Sequence, residues 1–208
     1  MLQPISAIIF DLGGVILNLD YNLTVEAFRN LGKENFDQLY TQSHQDKIFD
    51  RFETGEISAA EFRNYMRRFY EKSISDSQID EAWNAMLLDL PKHRVTFLEK
   101  IAKNKRIFLF SNTNEIHFNA FRKKIEGDFG NPDLLESLME KTYYSHLAGR
   151  RKPNAEAFQL ILDNHELTAA ETLFIDDSIQ HIEGAKKLGI QTIHLTGTDI
   201  TDLNLLEF

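Results

Sequence analysis

Cysteine is absent from the sequence, so neither a disulfide framework nor a thiolate metal site can be built from it. Basic residues are in deficit: 23 Lys and Arg face 32 Asp and Glu, a formal net charge of −9. That balance argues against a surface made for nucleic acid or anionic lipid, where phosphates must be met by cations. Long apolar runs are missing too, and no stretch approaches the roughly 20 residues needed to cross a bilayer. The opening MLQPISAIIFDL has neither the basic start nor the small-residue cleavage site of a secretory leader. These absences lead to the expectation of a cytoplasmic chain with no nucleic-acid or membrane partner, and they leave the oligomeric state open. A small anion stays within its reach, since one or two local cations and a metal suffice to hold it.

What is present describes a folded protein. The chain is 42% hydrophobic and 26% charged, with sixteen Phe and six Tyr to fill a core. Its 208 residues suffice for one ordinary domain and a modest insertion. Short apolar segments at Ile5–Phe10, Arg106–Phe110, Thr142–Ser145, Thr172–Ile175 and Gln191–His194 read as strands. The third, around Tyr143 and Tyr144, carries the faintest signal. Helical patterns lie between them, one opening at Pro91, one after Pro153, and one from Ser178 to Leu188 closed by Gly189. Strand alternating with helix predicts an α/β fold with a parallel sheet in three layers. Residues 18–90 break the rhythm. Ser58–Glu61 and Ser75–Gln78 have the capping-box pattern, and Phe62, Tyr65, Met66 and Phe69 share a helix face. This segment is expected to be an all-helical insertion, with residues 1–17 and 91–208 forming the α/β core.

Ligands of open parallel sheets bind beyond the carboxyl ends of the strands. Those ends offer Asp11 in Asp11-Leu12-Gly13-Gly14, then Ser111-Asn112, then Lys152-Pro153 in the loop after the third strand, then Asp176-Asp177. This set suits phosphoryl transfer, in which positioning and neutralisation of spread negative charge do most of the work. A carboxylate approaching a phosphate ester meets repulsion of about 4 kcal/mol per charge pair at 4 Å and an effective dielectric near 20. A lysine and a divalent cation cancel it, and Mg²⁺, which prefers oxygen ligands and keeps several waters, needs few from the protein.

The order Asp11-x-x-Gly14, Ser111-Asn112, Lys152-Pro153, Asp176-Asp177 resembles the four motifs of the haloacid dehalogenase-like hydrolase superfamily. The likeness spans nearly the whole chain and places the helical segment where that family carries its small cap. It implies a Rossmann-like core with sheet order 5-4-1-2-3 and an Mg²⁺-dependent phosphatase acting on a small phosphorylated metabolite. In that reading Asp11 is the nucleophile and a metal ligand, and the Gly13 carbonyl and Asp177 bind the metal. Asp176 orders the metal's waters, Ser111 and the Asn112 amide hold the phosphoryl oxygens, and Lys152 neutralises both Asp11 and phosphate.

One position departs from the pattern. The family's usual Asp-x-Asp, whose second Asp serves as general acid and base, is Asp11-Leu12-Gly13 here. The Asp-Leu-Gly form resembles a branch of α-D-glucose-1-phosphate phosphatases, and makes sugar phosphates the first expectation. General acid–base catalysis is worth about 10²–10⁴-fold, so a non-catalytic or weakly active binding relative remains the alternative. Either the enzyme favours esters with good leaving groups, such as sugar 1-phosphates or acyl phosphates, or it borrows a proton donor, for which Asp20 and the cap are candidate sources. The adjacent Asp176-Asp177 pair argues against a metal-free dehalogenase, and its place after the fourth strand argues against a response-regulator receiver. Arg150 and Arg151 read as solvated loop charges, Glu53-Thr54-Gly55-Glu56 as a polar cap loop, and His117, His146, His181 and His194 as structural or surface residues.

Overall fold

The computed structural model describes residues 4–32, 47–70 and 72–205. The expected cap residues 33–46 and Glu71, and the ends of the expected core, lie outside the described residues. Numbered in chain order among the described residues, the strands are β1 (Ala7–Phe10), β2 (Arg106–Ser111), β3 (Lys141–Tyr144), β4 (Thr172–Asp176) and β5 (Gln191–His194). The α-helices are α1 (Tyr21–Asn30), α2 (Lys47–Glu53), α3 (Ala59–Arg67), α4 (Asp76–Asn84), α5 (Lys92–Ala102), α6 (Glu115–Phe129), α7 (Leu134–Leu138), α8 (Ser145–Ala148), α9 (Ala155–Asn164) and α10 (Ile179–Lys186). None is long and apolar enough to cross a membrane.

The sheet is parallel throughout and ordered β3-β2-β1-β4-β5, which is the order expected, read from the other edge. Alternate residues of each strand leave by opposite faces, which divides the core in two. Ile8, Phe10, Leu109 and Ile175 pack with Leu98 and Ile101 of α5 and Phe121 and Ile125 of α6. Ile9, Phe108, Phe110 and Phe174 pack with Phe158 and Ile161 of α9 and Ile182 and Ala185 of α10. Burial on both faces explains why these strands are continuous apolar runs. The third strand is shifted by one residue from its expected span. Ser145 leaves the sheet because its hydroxyl bridges the Thr113 N–H and carbonyl, each at 2.9 Å, and it opens α8 instead.

Helices α1–α4 build most of a further apolar cluster from Phe28, Phe49, Phe52, Phe62, Met66, Ile79 and Trp83, which Ile116 of α6 joins from the core. Both capping boxes form: the Ser58 N–H donates to Glu61 at 2.8 Å and the Glu61 N–H to the Ser58 hydroxyl at 3.3 Å, with Ser75 and Gln78 paired likewise. Each satisfies amides that a helix start would otherwise leave orphaned. Of the expected face on α3, Phe62 and Met66 enter the cluster, whereas Tyr65 and Phe69 meet edge to face at its margin.

A buried polar joint helps tie the helical cluster to the core. His117 Nε2 lies 3.0 Å from the Trp83 carbonyl and its Nδ1 3.1 Å from Asn114 Nδ2. These partners assign the neutral tautomer, with Nε2–H donating and Nδ1 accepting. Asn114 caps α6 by accepting the His117 N–H at 3.1 Å.

Candidate active site

The register of the sheet assembles the site. Phe10 is aligned with Leu109 and Ile175, so Asp11 emerges level with the ends of the flanking strands. Main-chain bonds hold it there: the Asp11 N–H donates to the Ile175 carbonyl, and the Leu12 N–H to Asp11 Oδ1 at 2.7 Å. Lys152 is fully buried, its Nζ 2.7 Å from Asp11 Oδ1 and 2.7 Å from Asp176 Oδ2. The same ammonium lies 5.4 Å from the ring centres of both Phe110 and Phe174, so the apolar core beneath it is aromatic and attracts a cation.

The loop that carries Lys152 is fixed by Asn112. The Lys152 N–H donates to Asn112 Oδ1 at 2.9 Å, and Asn112 Nδ2 donates to the Lys152 carbonyl at 2.9 Å. The Asn112 side chain is thus committed to the lysine loop, which leaves its main-chain N–H as the group for the expected phosphoryl contact. Asp176 is equally braced, accepting the Ser178 N–H at 2.7 Å and His181 Nδ1 at 3.0 Å. His181 therefore belongs to the site, correcting its reading as a structural or surface residue.

The electrostatics are uneven. Burial pushes the Asp11 carboxyl up, with Lys152 opposing and Asp176 and Asp177 reinforcing. Burial also pushes on Asp176, but Lys152 and the His181 hydrogen bond outweigh it and hold that carboxyl below its ordinary value. Asp177 is pushed up to about 6 by burial and by the charge of Asp176. Burial disfavours the Lys152 charge, yet Asp11 and Asp176 more than compensate and keep it protonated. One lysine serves two carboxylates while a third stands beside them, so the cluster accommodates further positive charge. Oxygens of Asp11, Asp176 and Asp177 lie within 4.8 Å of one another. An all-oxygen, strongly anionic set of this kind fits a hard divalent cation. Gly14 permits the convergence: at φ 73° it is left-handed, and a Cβ there would meet the Asp177 carboxylate.

Asp11, Gly13, Ser111, Asn112, Lys152 and Asp177 line one cavity of about 370 Å³, the size of a small-molecule site. Its far wall comes from the helical cluster and includes Tyr21, Asp50, Glu53, Trp83 and Met86. Arg151, read from sequence as a solvated charge, reaches across instead: its Nε is 2.9 Å from Glu53 and its Nη1 2.7 Å from Asp50. Glu53 closes helix α2 and lines the cavity, correcting its reading as part of a polar loop away from substrate. Burial raises its carboxyl, with Arg151 opposing. Asp20 does not line this cavity. It caps α1, accepting the Asn22 N–H at 3.0 Å, so nothing places this candidate beside Asp11. At Gly13, where the usual acid is missing, a Cβ would lie 2.5 Å from Leu19 Cδ1, so an aliphatic side chain fills that space.

Known proteins share this architecture. A D-ribitol-5-phosphate phosphatase of Bacteroides thetaiotaomicron is 30% identical over 188 residues, covering 90% of each chain. A sesquiterpene phosphatase of Aspergillus oryzae is 26% identical over 99% of this chain and 97% of its own. The crystal structure of a HAD family enzyme from B. thetaiotaomicron, in complex with magnesium and inorganic phosphate, superposes with a TM-score of 0.86 at 35% identity, covering 96% of this chain and 99% of that one. The family model of haloacid dehalogenase-like hydrolases matches residues 5–189, a span that begins just before β1 and takes in every side chain of the strand-end cluster. This chain belongs to the haloacid dehalogenase-like hydrolase family.

Proposed function

We propose that the protein is an Mg²⁺-dependent phosphatase that hydrolyses small phosphomonoesters, sugar and polyol phosphates first among them, through a phosphorylated Asp11. The observation that carries this reading is the buried Lys152 bridging Asp11 and Asp176 at 2.7 Å each, beside Asp177 and open to a cavity of small-molecule size. The names of the ribitol-phosphate and sesquiterpene phosphatases support the reaction class, and the magnesium complex supports the cation. We assign residues 18–90 to a cap over the site and residues 1–17 and 91–208 to the core. The separate apolar cluster of α1–α4 supports that division.

In this reading Asp11, Asp177 and the Gly13 carbonyl would hold Mg²⁺, with Asp176 beside them, and the ion when bound would supply positive charge against the phosphate oxygens. The rest falls to the chain. The Ser111 hydroxyl and the Asn112 main-chain N–H hold phosphoryl oxygens, and Lys152, pinned by Asn112, faces Asp11 without needing to move. A carboxylate oxygen of Asp11 attacks phosphorus, the bond to the ester oxygen breaks, and the departing alkoxide takes up a proton. Water then attacks the phosphorus of the aspartyl-phosphate, releasing inorganic phosphate and restoring the Asp11 carboxylate.

Gly13 with Leu19 in the place of the acid favours the second reading, a binding protein of the same fold. Turnover separates the two. With p-nitrophenyl phosphate and Mg²⁺ the natural protein is expected to release phosphate, chelation to stop it, and Asp11→Asn to lower it by about 10⁴-fold or more, the scale at which a lost nucleophile acts. Full activity in Asp11→Asn would sink the mechanism, and complete inertness of the natural protein would favour binding.

A further inference from the structure

Helix α2 reads Lys-Ile-Phe-Asp-Arg-Phe-Glu. Its Phe49 and Phe52 are buried in the cap cluster, which leaves Asp50 and Glu53, three residues apart, together on another face. Both line the cavity that holds Asp11. Arg151 donates to Oε2 of Glu53 and Oδ1 of Asp50, fixing both carboxylates while engaging one oxygen of each. An ionised carboxylate has about four lone-pair sites, so each keeps acceptor capacity. The Glu53 side chain is only 15% exposed, and a ligand that covers it must provide hydrogen-bond donors to the lone pairs Arg151 leaves or strip them of water without return.

We infer that Asp50 and Glu53 form an acidic wall that binds the hydroxyl groups of the leaving group, so that the substrate is a polyol or sugar monophosphate. The inference rests on the phosphatase reading and narrows it. Hydroxyls satisfy the wall. A second phosphate or a carboxylate on the leaving group is repelled by it, and a prenyl chain would desolvate it with nothing in return. Arg151 does not reverse this selection, because its charge is matched by two carboxylates. Trp83 and Met86, which also line the cavity, suit the C–H face of a polyol chain.

The test compares kcat/KM with Mg²⁺ for ribitol 5-phosphate, p-nitrophenyl phosphate, 2-phosphoglycolate and farnesyl phosphate. Glu53→Gln keeps an oxygen for Arg151 and removes the charge. Its loss on ribitol 5-phosphate is expected to exceed its loss on p-nitrophenyl phosphate by at least about tenfold, mainly through KM. The 2-phosphoglycolate rate should rise relative to both. Asp50→Asn, on the more exposed carboxylate, is expected to shift the same ratios less, and it serves should Glu53→Gln fail to fold. Equal losses on the polyol and aryl esters, or a natural preference for farnesyl phosphate over ribitol 5-phosphate, would overturn the wall. Failure of the natural protein to cleave p-nitrophenyl phosphate would instead overturn the phosphatase reading. Ribitol 5-phosphate binding, followed by Trp83 fluorescence in the natural and Glu53→Gln proteins, then decides the wall alone: about tenfold weaker binding in the variant upholds it, and equal binding ends it.

Discussion

At the carboxyl end of the sheet the residues withdrawn from water are charged, Lys152 with Asp11 and Asp176, whereas in α1–α4 they are Phe28, Phe49, Phe52, Phe62 and Trp83. The two regions hide opposite chemistries at similar depth. Rings in the cap are stabilised by burial itself, at roughly 25 cal/mol per Å² of apolar surface. Phe52 stacks on Phe62 at 4.4 Å and Phe49 on Trp83 at 5.3 Å, contacts that add to that burial. Charges in the core gain nothing from being dry and persist only while each has its partner. A sheet end that keeps charges buried at this cost is organised for reaction, and a helical cluster whose buried side chains are mostly apolar is organised for shape. Two of the cap's acids, Asp50 and Glu53, stand against the cavity.

The largest test of this contrast removes the partner. Lys152→Met should cost about 3–5 kcal/mol of folding stability in chelator, because two buried carboxylates lose the cation they share. Urea unfolding followed by circular dichroism reads this, and added Mg²⁺ is expected to return part of the stability. Turnover should fall by at least about 10²–10³-fold with Mg²⁺ present. Unchanged stability in chelator would mean that charge burial here is not costly, and the contrast would fail.

A second test asks whether the cap defines chemistry as well as shape. Leu19 fills the space beside Gly13, and Gly13 is not among the glycines of positive φ, so the backbone itself accepts a side chain. The natural protein should cleave aryl phosphates much faster than alkyl ones, since no acid at that position protonates the leaving oxygen. In Gly13→Asp with Leu19→Ala the ratio should narrow by roughly 10²-fold, and in Gly13→Asp alone by less, because Leu19 obstructs the new carboxylate. A small ratio in the natural protein would show that another group supplies the proton. Tyr21 is then the next position to change, since it lines the cavity and its phenol is held protonated by burial and by the charges of Asp177 and Asp11.

The smallest effect is at the joint between the regions. Burial lowers the His117 pKa from 6.5 to about 4, so the folded protein resists a proton that the unfolded chain accepts. Its contribution is complete above pH 6.5 and is lost as the pH falls toward 4. At 1.36 kcal/mol per pH unit the loss approaches roughly 3 kcal/mol. Urea unfolding followed by Trp83 fluorescence should therefore weaken more steeply from pH 6.5 to 4.5 in the natural protein than in His117→Gln. Parallel slopes would remove His117 from the account.

Much of the core was legible because a sheet covered on both faces leaves runs such as Ile8-Ile9-Phe10 and Leu173-Phe174-Ile175, and the polar residue ending each run marks the site. The helices of the cap were legible through local signals, Ser58 with Glu61 and Ser75 with Gln78. How those helices face the core was not, since rotation and tilt over a sheet are set by tertiary packing that leaves no periodicity. Glu53 accordingly read as loop, and Arg151, in a run of three cations, as solvent-exposed. His181 was hidden for a related reason. It lies five residues beyond Asp176, and only the tight turn from β4 into α10 brings its ring back to that carboxylate.

Arg151 and Lys152 are neighbours in sequence, yet one grips the cap and the other the nucleophile. One peptide unit thus takes part in both regions, anchored by Asn112 on the catalytic side, and adds to the joint that His117 makes with Trp83. Inserting a residue between them would throw one of the two grips out of register whatever its chemistry. Changing Asp50 or Glu53, on a helix of the other region, alters the cap-side grip but leaves the length of that unit and its anchorage to Asn112 intact. The fold therefore lets selectivity drift by substitution in α2 while the spacing of Arg151 and Lys152 stays constant.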